Sequence, residues 1–232
     1  MTAPTAYKLL ELLKDLSSQG VSINEDIYEY LSTTDLMAVE KWYGRLQRVK
    51  SYSFDPGRPQ GALRTKKRTI KERLGTQSAL KGRLLEKLIQ AILDGCKAIS
   101  YGHNIRTSSS EVDFLIKIEP LGGHLPMFNS GLTHIIGEAK CYDKKLKKEW
   151  VDELAGTASS HNTNFGILFT LCTPRRVHRD MAVSIAIHAA KGNRIIPFGA
   201  AQVEQVRKGE NFLKLLSDQY VKALTHDHAL SV

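Results

Sequence analysis

Val112-Asp113-Phe114-Leu115-Ile116-Lys117-Ile118 and Thr133-His134-Ile135-Ile136-Gly137-Glu138-Ala139-Lys140 are the two stretches on which the reading of this chain turns. Both are short and apolar, so both read as strands. Each also carries charge where an apolar strand has little reason to hold it: Asp113 in the first, Glu138 and Lys140 in the second. In a strand, residues i and i+2 share a face, so Glu138 and Lys140 emerge side by side while Ala139 turns toward the core. If the two strands pair, Asp113 and Glu138 can meet at one metal ion. Two acids and an amine at one point are what phosphodiester hydrolysis requires: oxygen ligands for a hard divalent cation, and a positive group to hold water or steady developing charge. A lone Asp with a distant Glu-x-Lys also arises by chance, and a Glu/Lys pair on a strand can be a solvated ion pair contributing ~0–1 kcal/mol. The surroundings decide between these readings.

Working outward, the pattern from Gln77 onward is α/β. Ser78 can cap a helix running to about Leu93, with Leu84, Leu85, Leu88 and Ile92 as its core stripe and Gly95 just past its end. Strands are expected near Ala98–Ile105, at 112–118 and at 133–140. A polar helix follows over about 147–159. Phe165-Gly166-Ile167-Leu168-Phe169-Thr170-Leu171 is continuous and apolar, which suits a strand buried on both faces. A helix near 179–190 comes next, then a short strand, Arg194-Ile195-Ile196-Pro197-Phe198, whose proline points to an edge or an end. The order is α-β-β-β-α-β-α-β, followed by a last helix and tail from Phe212.

Upstream, residues 3–50 read as helical. Leu9, Leu13 and Leu16 form one stripe, and Leu36, Val39, Tyr43 and Leu46 form another behind the cap-type run Ser32-Thr33-Thr34-Asp35. Residues 51–75 break the pattern with Asp55-Pro56-Gly57, Pro59 and Gly61. From Gly44 to Arg83 there are twelve basic and two acidic residues, a net +10, which exceeds the +9 of the whole chain. A flexible solvated linker is the plain account. Arg64-Thr65-Lys66-Lys67-Arg68 concentrates charge beyond what solubility needs and favours an arm that neutralises phosphates, with Arg64, Lys66, Lys67 and Arg68 as nucleic-acid-binding residues.

The 232-residue chain is 42% hydrophobic and 25% charged, a soluble globular composition. Its basic balance points to a polyanionic partner, of which nucleic acid is the commonest. No apolar run reaches the ~18–20 residues that span a bilayer, and Met1 to Leu13 lacks the pattern of a secretion signal. Cys96, Cys141 and Cys172 form no Cys-x-x-Cys pair, which argues against a zinc site or disulfide framework and suggests a reducing, cytoplasmic setting. No glycine-rich phosphate loop is present, so no nucleotide cofactor is expected.

Several motifs, in order, resemble the PD-(D/E)XK nucleases, and most closely the Mrr-like branch of restriction endonucleases. Gly82-Arg83-Leu84-Leu85-Glu86-Lys87-Leu88-Ile89 is similar to the first helix of that branch. Glu111-Val112-Asp113-Phe114-Leu115 resembles the strand with the metal-binding aspartate, and Gly137-Glu138-Ala139-Lys140 the E-x-K strand. Val151-Asp152-Glu153-Leu154-Ala155-Gly156 and Phe165-Gly166-Ile167-Leu168-Phe169-Thr170 resemble the helix and apolar strand after it. The match covers about residues 78–200. Two features depart from it: Glu138 stands where many Mrr-like members carry glutamine, and Val112 stands where a proline often precedes the aspartate.

The resemblance implies an α/β, restriction-endonuclease-like core (a mixed central sheet flanked by helices, αβββαβ) with an N-terminal helical extension. The implied divisions are 1–75 as a helical region with a basic arm for DNA binding or dimerisation, 76–210 as the nuclease domain and 211–232 as a helix and tail. It implies a Mg²⁺-dependent DNA endonuclease of the restriction or defence type, with Mn²⁺ able to substitute, acting on double-stranded DNA as a homodimer. Asp113 and Glu138, with the carbonyl of Ala139, would bind the metal, Lys140 would position or help deprotonate the attacking water, and Glu86 would act through the metal's water or orient Lys140. A junction-resolving, repair or transposition nuclease of the same fold, or a catalytically silent DNA-binding module, are the alternatives.

Other residues weigh less. Lys144 and Lys145, with Lys147 and Lys148, either track the DNA backbone beside the site or cover a solvated turn; Arg175 and Arg176 are a weaker case. Glu111 reads better as an exposed strand-start glutamate than as a ligand. Trp42 and Tyr43 read as core rather than as base-stacking groups. The eight histidines show no metal spacing, and His178 and His188 have no obvious partner.

Overall fold

The computed structural model describes residues 24–51, 70–106, 111–128, 131–141, 147–171 and 179–225. The elements are α1 (Asn24–Leu31), α2 (Leu36–Ser51), α3 (Ile70–Leu93), β1 (Ile99–Arg106), β2 (Glu111–Ile118), β3 (His134–Lys140), α4 (Lys148–Ser160), β4 (Phe165–Thr170), α5 (Arg179–Ala190), β5 (Arg194–Phe198), α6 (Ala200–Arg207) and α7 (Phe212–Leu224). The five strands form one sheet in sequence order. β1–β2 and β2–β3 are antiparallel, and β3–β4 and β4–β5 are parallel. The chain is therefore α/β, with a mixed, open sheet flanked by helices. Pro197 sits in β5, an edge strand, where its missing N–H costs no ladder bond on the open side.

Alternation along the strands assigns the two faces. Phe114, Ile116, Ile135, Phe165, Ile167, Phe169, Ile196 and Phe198 face one apolar cluster, with Leu85, Leu88 and Ile92 of α3, Val39 and Leu46 of α2, and Phe212 and Leu216 of α7. Ile136, Leu168 and Ile195 face the other, under Val151 and Leu154 of α4 and Met181 and Ile185 of α5. On the first side, Phe114, Phe169, Phe198 and Phe212 form a chain of rings with centroids 6.0, 5.9 and 5.2 Å apart and tilted edge to face, the arrangement the ring quadrupoles favour.

Two helical features differ from expectation. α3 begins at Ile70, so Ser78 lies inside the helix rather than capping it; nothing between Ile70 and Gly75 forbids helix, since the nearest preceding proline is Pro59. α6, between β5 and α7, was not anticipated. The expected cap of α2 is present: Asp35 Oδ1 accepts from the backbone N–H groups of Met37 and Ala38 at 3.0 and 3.1 Å. Of the expected α2 stripe, Val39 and Leu46 are fully buried and Tyr43 is half-buried, but Leu36, the first residue of the helix, is exposed. The stripe Leu9, Leu13 and Leu16 lies outside the described residues.

The N-terminal helices are joined to the rest at both ends of the sheet domain. Gly95 lies against the 32–34 segment so closely that a Cβ there would stand 1.8 Å from the carbonyl oxygen of Thr33. Thr33 N–H donates to the Gly95 carbonyl at 3.0 Å. From the other end of the chain, the Asn211 amide donates to the carbonyls of Tyr28 and Ser32 at 2.8 and 2.9 Å while its oxygen caps α7. Arg207 of α6 grips Glu40 of α2 through two nitrogens at 2.7 and 3.2 Å, and its guanidinium lies over Tyr43.

Candidate active site

The β2–β3 ladder runs to the pair Phe114–Gly137. One step further in the same register brings Asp113 opposite Glu138. There the regular pairing gives way: Asp113 Oδ2 accepts from the backbone N–H of Ala139 at 2.8 Å, so a carboxylate takes the ladder's donor. The facing of β2 changes at the same place. Phe114 and Ile116 point into the α3-side cluster, and strict alternation would send Val112 there as well, yet Val112 packs in the cluster under α4 and α5. In β1, the residue between the pairs His103–Phe114 and Ile105–Val112 is Asn104, which takes a left-handed conformation with φ 52°. Asparagine tolerates that region better than most residues. A rotation of β2 at Asp113 accounts for both observations and swings the carboxylate toward β3.

Glu138 and Lys140 share a face, as their spacing requires, and Lys140 Nζ donates to Glu138 Oε1 at 2.5 Å. Both side chains are largely covered, at 21% and 24% exposure. Burial, then the negative charge of Asp113, raise the Glu138 carboxyl above its ordinary range; the Lys140 contact pulls it back without prevailing. For Lys140, burial works against the charged form, but the hydrogen bond and charge of Glu138, joined by Asp113 and Glu153, outweigh it and raise the ammonium's pKa. Lys140 is thus held as a cation among carboxylates. Glu153, on α4, also bears on the pair, and nothing in the sequence pattern marks it among the acids of that helix.

Asp113, Glu138, Ala139 and Lys140 are therefore brought together. Glu86 reaches the same row of residues from α3, where its Oε2 accepts from the Asn104 amide at 3.2 Å; the carboxylates whose charge bears on Lys140 are those of Glu138, Asp113 and Glu153. Arg64, Lys66, Lys67, Arg68, Lys144 and Lys145 lie outside the described residues, as do Arg175, Arg176 and His178. Glu111 is exposed and faces Arg106 at 3.8 Å, a surface pair of little weight. Trp42 is half-buried against the core, as expected. His188 does have a partner: its Nε2 is 2.9 Å from Asp152 Oδ1, which also accepts from Ser184 Oγ at 2.6 Å, tying α4 to α5.

Among the described residues, no three His, Cys, Asp or Glu side chains stand close enough to cage a metal ion. Mg²⁺ does not need a cage. It keeps several waters and is commonly held by one or two carboxylates. Asp113 and Glu138 are hard oxygen donors, and a buried carboxyl raised by a second acid beside it is a place where a cation is favoured. The donor set fits such an ion. No protein-family model, curated protein or solved structure matches the chain. Among the described residues, no helix is long and apolar enough to cross a membrane.

Proposed function

We propose that this chain is a metal-dependent endonuclease of the PD-(D/E)XK type, hydrolysing phosphodiester bonds in double-stranded DNA. The observation that carries the reading is the Asp113 carboxylate seated on the Ala139 N–H at 2.8 Å, opposite Glu138 and beside the Glu138–Lys140 pair. Two acids and a cation thus converge where the β2–β3 pairing opens. The order α3-β1-β2-β3-α4-β4 agrees with a restriction-endonuclease-like core.

Asp113 and Glu138 would hold Mg²⁺, or Mn²⁺ in its place. In an extended strand the N–H and C=O of one residue face the same neighbour, so the Ala139 carbonyl, like its N–H, opens toward Asp113 and can add a third oxygen. The bound ion would lower the pKa of a water and neutralise phosphate charge. Lys140 enters as an ammonium. It cannot take a proton from water in that state; it can donate hydrogen bonds that orient the water, and it can steady negative charge as it develops on the phosphate. Glu86 would position the site's β1 side through Asn104. Cutting both strands of a duplex takes two such sites, so a homodimer on DNA is expected.

The test is incubation with supercoiled plasmid, methylated plasmid, a four-way junction and RNA, with Mg²⁺ or EDTA, for the native chain, Asp113→Ala and Lys140→Ala. Plasmid should be cut with Mg²⁺ and spared with EDTA. Asp113→Ala should not cut, and Lys140→Ala should bind DNA without cutting it. Full cleavage by Lys140→Ala would remove Lys140 from the mechanism, cutting of the junction alone would favour resolution, and binding without cutting of any substrate would favour a silent binding module.

A further inference from the structure

The structure assigns a second role to α2: we propose that its outer face binds the sugar-phosphate backbone of the duplex whose scissile phosphate lies at Asp113, Glu138 and Lys140. This rests on the nuclease reading above and says which part of the fold holds the substrate beside the site.

Lys41, Arg45 and Arg48 recur at i, i+4 and i+7 and are all exposed, on the side of α2 opposite the fully buried Val39 and Leu46. Each is fixed by something other than an acid. Lys41 and Arg45 lie over the Trp42 ring at 5.2 and 4.8 Å, and Arg48 Nε donates to the Gly44 carbonyl at 3.3 Å. Among the described residues none of the three forms a salt bridge. The one acid on α2, Glu40, is engaged by Arg207. Like charges at i and i+4 repel, and a face needed only for solubility mixes its signs. Three ordered cations in one line suit a polyanion. From Lys41 to Arg48 the helix rises about 10 Å at about 1.5 Å per residue, which spans about three phosphates of one strand at about 3.4 Å each along the duplex axis.

The helix also ends in the right place. Lys50, on the buried side of its last turn, donates to the Leu171 carbonyl at 2.8 Å. Leu171 follows Thr170, whose register partner in β3 is Lys140, and paired strands lie about 4.8 Å apart. Lys50 therefore fixes the C-terminal end of α2, two residues past Arg48, beside the ends of β3 and β4 that carry Lys140 and Thr170.

The experiment uses the full chain and a fluorescein-labelled duplex, with anisotropy read in EDTA across a salt series, and cleavage kinetics read in Mg²⁺. The triple variant Lys41→Gln/Arg45→Gln/Arg48→Gln should lower the slope of log affinity against log salt by about 2.7, at about 0.9 per phosphate contact. It should raise KM for cleavage while leaving kcat near native. The charge-conserving Lys41→Arg/Arg45→Lys/Arg48→Lys should restore the native slope, which separates charge from any change in folding. If the native chain cuts DNA but the triple variant shows its slope and affinity, this proposal is overturned and the nuclease reading stands. If the native chain binds duplex without cutting and the triple variant loses slope, the binding face is supported and the nuclease reading fails. Attachment to phosphatidylserine vesicles with none to duplex would overturn the proposal in favour of a membrane surface.

Discussion

Gly137 sits one residue before Glu138 and opposite Phe114, the last pair of the β2–β3 ladder before the site. A Cβ there would meet Phe114 Cβ at 2.9 Å and Phe169 Cε2 at 3.2 Å. The first of these atoms is fixed to the β2 backbone and cannot rotate away, so Gly137→Ala must push β3 from β2 by a few tenths of an ångström. Overpacking of this kind costs about 1–3 kcal/mol. For a chain of this length that corresponds to a fall in Tm of about 2–12 °C, at about 2–4 °C per kcal/mol. The same displacement falls on the Asp113–Ala139 bond, now 2.8 Å, and moves it toward the long end of the N–H···O range. Since a misplacement of about 1 Å can cost on the order of 10²-fold in rate, cleavage by fully folded Gly137→Ala should fall by roughly tenfold or more. Gly166→Ala is the control. Its Cβ would be equally tight, 2.8 Å from Leu154 Cγ and 2.9 Å from Ile195 Cδ1, but against the far ends of side chains on α4 and β5 rather than a Cβ of β2. It should lose stability and keep activity. Calorimetry and plasmid cleavage well below either Tm decide the matter. A Gly137→Ala protein that melts with the native chain and cuts at the native rate refutes the reasoning, and equal activity losses in both variants refute its site-specific half.

Asp35→Ala removes the cap of α2 and should cost about 0.5–2 kcal/mol in chemical denaturation, with Asp35→Asn close to native; no change in midpoint would show the cap to be redundant. The Asp152 carboxyl is held below its ordinary value by the Ser184 hydroxyl, with His188 and Lys148 adding to it. Its contribution to stability is therefore complete above about pH 3.9, the unfolded value, and disappears as pH falls through the lower folded value. The stability gap between native chain and Asp152→Ala should shrink across that acid range, and a gap constant to the lowest pH measured would contradict the assignment. Burial pushes the Cys96 thiol up to about 11, so alkylation at neutral pH should be slow in the folded chain and fast in urea. Peptide mapping that finds Cys96 labelled at once under native conditions would show that the loop after α3 opens freely.

Most of the sheet domain was legible because its signals are local. A run such as 165–170 is buried throughout and reads as a strand on composition alone, and the i, i+2 spacing of Glu138 and Lys140 puts them on one face whatever surrounds them. What the sequence did not show is set by contacts far apart in the chain. Val39 and Leu46 could be assigned to a buried stripe, but not to the same core as Phe114 and Phe212. The pairing of His188 with Asp152 spans 36 residues and follows from how α4 and α5 lie over the sheet. The turn of β2 at Asp113 depends on its neighbours, since neither Asn104 nor Val112 announces it. Glu153 bears on the site only because α4 folds back over β3.

Asn211 joins a helix near the C-terminus to backbone carbonyls 183 and 179 residues earlier, whereas every strand bonds to its neighbour in sequence. During synthesis the sheet can therefore zip up strand by strand, but the seat of α1 and α2 is incomplete until α6 and α7 have left the ribosome. Until then the oily side of the first helices has only part of its cover, and a helper protein that shields nascent chains would find its hold there. Ribosome-stalled chains halted before residue 200 should show those helices open to protease, and chains carried past α7 should show them closed.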